Sequence, residues 1–295
     1  MTDRQKGYVG AVSGSLIWGF APIAFWQLNG FSAFEIVFQR IFFAALVFMV
    51  MLRALGRFAE LKQALLRSWS LFGYFILTSV LILLNWLVFI YAIEIDHLSE
   101  AALGYYIYPL STSGLAYLML AERVDRRTLI ALMLAGMAVL VKAQALSDGL
   151  WISLVLALTF SLYAICRKKM DVAPDTATAL ETLLLMPLVL GFFIWQATSF
   201  GTSSLFFGGG VFGYGMGLLI GVITLSPLVL FHMGNKYLPL SLSSLLFYIN
   251  PTIQLGLSLW NGEPFIWQDG VAFGLIWLGL VICFWPSART SSSRQ

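Results

Sequence analysis

LSEAALGYYIYPLSTSGL at 98–115 and LSLSSLLFYINPTIQLGL at 240–257 lie 142 residues apart, and eight of their eighteen aligned positions are identical. The shared core is Tyr106-Ile107-Tyr108-Pro109 over Tyr248-Ile249-Asn250-Pro251. The same offset sets Gly7 over Gly149 and Gln39 over Glu181, so one register runs from the first helix to the ninth. Chance matches in apolar sequence do not hold a register over that distance. The chain is therefore read as a duplicated unit.

The rest of the sequence says what the unit is made of. Hydrophobic residues are 60% of the chain, charged residues 11%, and mean hydropathy is +0.87. Soluble domains run nearer half apolar and a quarter charged. With 24 Phe, 11 Tyr and 10 Trp, much of the surface must meet lipid. A hydrocarbon layer of about 30 Å takes about 20 apolar residues of helix. That length predicts ten spans, near 7–28, 33–54, 69–93, 99–120, 127–146, 149–168, 177–197, 211–234, 241–261 and 268–286. The fold class is thus an all-α polytopic membrane protein. Its two five-helix repeats cover 1–146 and 147–286, and a tail follows at 287–295. Five is odd, so the second repeat must be inverted. In such folds the substrate site lies near the midplane between the halves.

Charge gives the orientation. With the N-terminus inside, fifteen of the seventeen basic residues fall on inner segments, Lys142 lies outside and Arg40 within the membrane. By the positive-inside rule both termini are cytoplasmic. The first helix follows a short basic head and is too long for a signal peptide, so it reads as a retained anchor. Cys166 and Cys283 have no partner at metal-ligand spacing, nor do His97 and His232, so no metal or other cofactor is expected. The Gly-rich run 208–217 lacks the Lys-Ser/Thr ending of a phosphate loop and reads as close helix contact. Nothing suggests a nucleic-acid partner. The expected partners are the bilayer and a small molecule, for a monomer or homodimer.

Polar groups inside a span are costly, so they mark function or interhelical bonds. Arg40 can hold a carboxylate in a bidentate fork, or lock helices together. Asn85 can anchor a polar cargo group or bond across helices. Trp18 and Trp86 can stack on a cargo or anchor at the interface. Tyr105, Tyr106 and Tyr248 surround Pro109 and Pro251, with Asn250 and Gln254 beside the second. Each proline leaves the carbonyl four residues back without its amide, which marks a binding site or hinge, or only a packing bend. Glu181 can carry a proton or satisfy the first-turn amides of its helix. Glu122 and Glu263 read as caps and ties at helix ends.

Seven stretches together resemble a known family: LIWGFAPIAFW (16–26), NWLVFIYAI (85–93), EAALGYYIYPL (100–110), AER (121–123), LYAICRKK (162–169), ETLLLMPL (181–188) and FYINPTIQ (247–254). Their ordered set is similar to the RarD-type branch of the EamA family, in the drug/metabolite transporter superfamily. The resemblance implies ten helices, two EamA repeats and export or exchange of small metabolites, amino acids and related compounds or drugs, by alternating access. Tyr163, in LYAICRKK of the sixth helix, is a further candidate cargo contact. Two family positions differ here: Gln39 stands where His is common, and Tyr108 where Asn is common. The first change removes a titratable group. A non-enzyme is expected, because no His, Cys and carboxylate cluster converges at one depth. The competing reading is a non-transporting scaffold or lipid scramblase.

Overall fold

The computed structural model describes residues 1–28, 31–95, 97–144, 149–199, 210–260 and 265–285. Asp148, Glu263 and the tail at 287–295 lie outside them, as do Gly208 and Gly209 of the Gly-rich run. The described residues form helices without strands. These are α1 Asp3–Phe20, α2 Pro22–Phe25, α3 Ala33–Ala54, α4 Phe58–Leu66, α5 Trp69–Glu94, α6 Leu98–Leu120, α7 Arg126–Ala143, α8 Leu150–Met170, α9 Pro174–Ser199, α10 Gly210–Tyr237, α11 Leu240–Leu246, α12 Ile249–Trp260 and α13 Trp267–Phe284. A 3₁₀ turn, Trp26–Leu28, follows α2.

The starts of several helices are written locally. Thr2 and Gln5 form a capping box on α1, and Ser32 and Glu35 form one on α3. The Asp125 carboxylate accepts from the Thr128 amide at 2.7 Å and caps α7. Arg167, Lys168 and Lys169 sit in the last turn of α8, where cations suit the carbonyl end of the helix dipole.

Seven segments are long and apolar enough to cross a membrane among the described residues: Asp3–Phe25 and helices α3, α5, α8, α9, α10 and α13. The expected ninth span differs from the segment its sequence aligns with, α6. It is broken at Phe247–Tyr248 into α11 and α12, whereas α6 runs unbroken through Pro109. The outer surface is apolar, with Leu46, Val50, Leu118, Leu140, Ile194 and Val222 all exposed. Such a surface is suited to lipid rather than water.

Packing partners come in pairs displaced by the repeat offset. Helix α1 packs on α10, and α8 on α5; α6 packs on α8, and α12 on α1; α3 packs on α10, and α9 on α5. Helices α7 and α13 pack on each other, as do α3 and α9. The closest of these approaches need glycine. A Cβ on Gly10 would stand 2.4 Å from the Leu230 carbonyl oxygen of α10, and one on Gly217 would stand 2.3 Å from the Phe43 ring of α3. In contrast, a Cβ on Gly136 meets nothing within 4 Å. Gly10→Val should therefore cost about 1–3 kcal/mol through overpacking, read as a lower apparent Tm of the purified protein. Gly136→Ala should leave Tm unchanged or slightly raised, since alanine is the better helix former by about 1 kcal/mol. Equal melting curves for the two variants would contradict the close α1–α10 contact.

Two sets of polar ties close the ends. At the basic end, Arg57 pairs with Glu60 at 2.7 Å and with Asp175, joining α4 to α9. The Arg57 guanidinium holds the Glu60 carboxyl below the usual carboxylate range. Glu122 accepts from the Leu240 amide at 2.9 Å, the Ser241 amide at 3.0 Å and the Ser241 hydroxyl at 2.7 Å, capping α11. At the opposite end Lys142 of α7 pairs with Asp269 of α13 at 2.5 Å, and Gln196 of α9 donates to Glu35 of α3 at 2.6 Å.

Candidate functional site

Between these ends the core is aromatic. Trp18 of α1 meets Phe231, Phe247 and Phe160 with ring centroids 5.6, 5.7 and 5.9 Å apart. Tyr108 lies 4.8 Å from Phe160 and 5.2 Å from Phe247. Tyr105 extends the cluster, 5.5 Å from both Phe247 and Phe89. These rings come from α1, α5, α6, α8, α10 and the break before α12, so both halves of the chain supply them.

Arg40 of α3 borders this cluster. It is 5% exposed, and its Cζ lies 4.2 Å above the Trp86 ring and 5.9 Å from the Phe25 ring. Its Nε has no hydrogen-bond partner among the described residues, and no carboxylate there reaches it. Stacking on Trp86 contributes about 1–2 kcal/mol, well short of what burying an unpaired guanidinium in a membrane costs. What would satisfy it is a planar anion that accepts from its fork of N–H donors.

A second polar group sits toward the basic end. The Tyr163 hydroxyl donates to Glu181 Oε2 at 2.8 Å, and Arg167 Nη1 donates to Glu181 Oε1 at 3.2 Å. Arg167 also donates to the Pro174 carbonyl at 2.9 Å and to Thr178 at 3.3 Å. His232 packs edge-on to Tyr163 at 4.9 Å.

The structure thus divides the candidates. Trp18, Arg40, Trp86 and Tyr105 share the central aromatic cluster. Asn250 and Gln254 lie one turn apart on α12, the first buried with its Oδ1 unpartnered. Asn85 does not face an open space: its amide donates to the Leu156 carbonyl at 3.0 Å and to Thr159 Oγ1 at 2.9 Å, bonding α5 to α8. Tyr106 and Tyr248 belong to a different cluster, with Ala131 and Ala135 of α7 and Ile276 of α13. There the Tyr248 hydroxyl donates to the Tyr106 carbonyl at 2.8 Å. The Phe247 carbonyl, left without its helical amide by Pro251, accepts from the Asn250 amide at 2.9 Å. Glu181 is paired with Arg167 rather than lying alone in an apolar setting.

Several members were not among the expected residues. Phe160, Phe231 and Phe247 looked like ordinary apolar positions. Arg167 was counted with the flanking cations of its helix, yet it is 8% exposed. Its position four residues after Tyr163 was the available signal, because that spacing puts both on one helix face. Among the described residues, no group of three His, Cys, Asp or Glu side chains is placed to hold a metal ion.

Comparison with known proteins agrees with this architecture. Residues 5–142 match the family model described as the EamA-like transporter family. The chain is 34% identical to Protein RarD of Streptomyces exfoliatus over 98% of its own length and 91% of that protein. It is 33% identical to the transporter YojE of Bacillus subtilis, over 95% and 94%. It is 32% identical to Protein RarD of Escherichia coli, over 95% and 94%. A solved crystal structure shares the fold with a TM-score of 0.72 at 15% identity, over 97% of this chain and 99% of that one. The chain is a multi-pass membrane protein of the EamA transporter family, in its RarD-type branch.

Proposed function

We propose that the protein moves small carboxylate-bearing metabolites across the bacterial inner membrane, as an exporter or exchanger working by alternating access. Amino acids with an apolar or aromatic side chain fit best. The observation that carries this is Arg40, a buried guanidinium stacked on Trp86 at the border of an aromatic cluster, with no carboxylate on it among the described residues. The guanidinium takes the carboxylate, and Trp18, Trp86 and Tyr105 take the body of the cargo.

The movement is proposed to exchange the shapes of two inverted five-helix repeats, 1–146 and 147–286, with both termini cytoplasmic. The paired packing contacts support this, as does the direct contact between repeat partners Tyr106 and Tyr248. A polypeptide that folds as two swapped copies places such partners beside the axis relating them. Pro109 and Pro251 are the proposed bends. The break at Phe247–Tyr248 offers the second one a ready pivot, while α6 must flex within a continuous helix.

The first experiment compares metabolites in medium and cytosol from cells with and without the gene, followed by counterflow of the amino acids that differ in proteoliposomes. Excess of no carboxylate-bearing compound, or counterflow unaffected by the protein, would sink the reading. Drive is assigned to proton antiport through Glu181. A proton on this carboxyl would release Arg167, and deprotonation would restore the pair. An imposed pH gradient should therefore drive uphill flux, and Glu181→Gln should abolish uphill flux while exchange persists. Uphill flux that survives Glu181→Gln moves the proton route elsewhere.

A further inference from the structure

The link between α3 and α5 presents two chemistries side by side. Its helix α4 turns Leu61 and Ala64 inward, and Arg57 and Glu60 tie it to the start of α9. The remaining surface consists of two rows at four-residue spacing, Phe58–Lys62–Leu66 and Ala59–Gln63–Arg67. All six residues are exposed, and Arg67, the helical C-cap, continues the second row. Leu55 before the helix and Trp69 after it are exposed too, Trp69 by 87%. Among the described residues, no carboxylate lies within ion-pair distance of Arg53, Lys62 or Arg67.

Facing water, this helix would leave Phe58, Leu66 and Trp69 wet. Facing acyl chains, it would leave Lys62, Gln63 and Arg67 dry and unpaired. The headgroup layer, where the two media meet, suits both rows. The position agrees, because α3 and α5 on either side are long and apolar enough to cross a membrane. Beside the rows runs a groove of about 860 Å³ between α4 and the corner joining α8 to α9. Lys62, Leu66 and Arg67 stand on one wall, Asp171, Val172 and Thr176 on the other. Glu60 also borders it, but accepts from Arg57 at 2.7 Å and from the Thr176 hydroxyl at 3.1 Å, so its charge is already matched. Two unpaired cations then face one exposed carboxylate, Asp171, and the groove is positive on balance.

We propose that α4 docks on the membrane surface and that the groove holds the headgroup of an anionic phospholipid. The phosphodiester lies against Lys62 and Arg67, and the acyl chains follow Phe58, Leu66 and Trp69 toward the hydrocarbon. Asp171 repels the phosphate and confines it to the α4 wall. Phosphatidylcholine brings the same phosphate, but its own ammonium cancels the charge that the groove would hold. With both termini cytoplasmic, this is the leaflet whose anionic lipids attract juxtamembrane cations. Lipid binding here does not depend on the cargo reading and is measured without flux.

Native mass spectrometry of the full-length protein in detergent, titrated with phosphatidylglycerol and phosphatidylcholine of matched chains, tests this. The unmodified chain should bind phosphatidylglycerol severalfold tighter. Lys62→Gln with Arg67→Gln should weaken phosphatidylglycerol binding roughly 5–30-fold and leave phosphatidylcholine binding unchanged. Asp171→Asn should strengthen phosphatidylglycerol binding, and Asn tolerates the left-handed backbone there, at φ 46°. Should the double variant fold poorly, this single change still decides: no strengthening overturns the proposal. Arg4→Gln with Lys236→Gln, exposed cations elsewhere at the same end, should leave the lipid preference intact. Equal weakening by that control pair would assign the preference to the overall charge of the end, and overturns the α4 site. Equal binding of the two lipids by the unmodified chain overturns it as well. So does displacement of phosphatidylglycerol by an equal concentration of glycerol 3-phosphate, since the groove would then serve a soluble phosphate. A Lys62→Gln, Arg67→Gln variant that turns dimer into monomer while its lipid preference holds would give this face to a second copy, and also overturns it.

Discussion

Glu181→Leu should lower the stability of the purified protein by about 3–5 kcal/mol, seen as a large drop in apparent Tm. The side chains of Glu181 and Arg167 are 2% and 4% exposed and 3.2 Å apart. Removing the carboxylate leaves the Arg167 guanidinium with the neutral Pro174 carbonyl and Thr178 hydroxyl as its acceptors and its buried charge unpaired. The Tyr163 hydroxyl loses its acceptor at the same time. Arg167→Met should cost a similar amount, by stranding the carboxylate. The double variant Glu181→Leu with Arg167→Met should recover most of the loss, because two apolar side chains remove both charges together. Additive losses in the double variant would mean that the pair is not the interaction being lost. Glu181→Gln is the gentler change: its amide oxygen can still accept from Arg167 while its NH2 donates to the Tyr163 hydroxyl oxygen, so it suits the flux experiment.

The sequence was most legible where a periodic or repeated pattern was set by the membrane. Apolar length marked the helices, and the Tyr-Ile-x-Pro match paired α6 with the α11–α12 segment. Of the Gly-rich run, two members make helix contact: a Cβ on Gly217 of α10 would meet Phe43 and Gln39 of α3, and the Gly213 carbonyl accepts from Gln39 at 3.1 Å, whereas a Cβ on Gly210 or Gly215 meets nothing within 4 Å. What could not be read was which polar side chains already have partners. Asn85 and Arg40 look alike in sequence, as single polar residues in apolar helices. Asn85 is consumed by Leu156 and Thr159, more than seventy residues away, while Arg40 lies against the Trp86 and Phe25 rings with no hydrogen-bond acceptor on it among the described residues. In sequence Glu181 reads as a proton carrier or a partner of first-turn amides, and its pairing with Arg167 is not legible because Arg167 belongs to the preceding helix, in a run of three basic residues. The two prolines look equivalent, yet only one helix breaks.

Arg40→Leu separates the two meanings that a buried arginine in a membrane can have. If Arg40 were a structural lock, the change would leave acceptors unpaired and lower stability. The described residues show no acceptor bound to it, so the change removes a desolvated charge and leaves only the Trp86 and Phe25 faces behind. Melting temperature should hold or rise. Transport should behave in the opposite way. A charge-assisted hydrogen bond contributes about 1.5–3 kcal/mol, and its loss at the carboxylate should reduce affinity by roughly 10–150-fold. Arg40→Lys should fall between: it keeps the charge but gives up the planar fork and the stacking on Trp86. Trp86→Ala should weaken cargo binding and leave Arg40 less well placed. Thermal melts and counterflow measured on the same preparations decide the matter. Lower stability with unchanged counterflow would assign Arg40 to the scaffold, and the cargo carboxylate would have to be sought at another group.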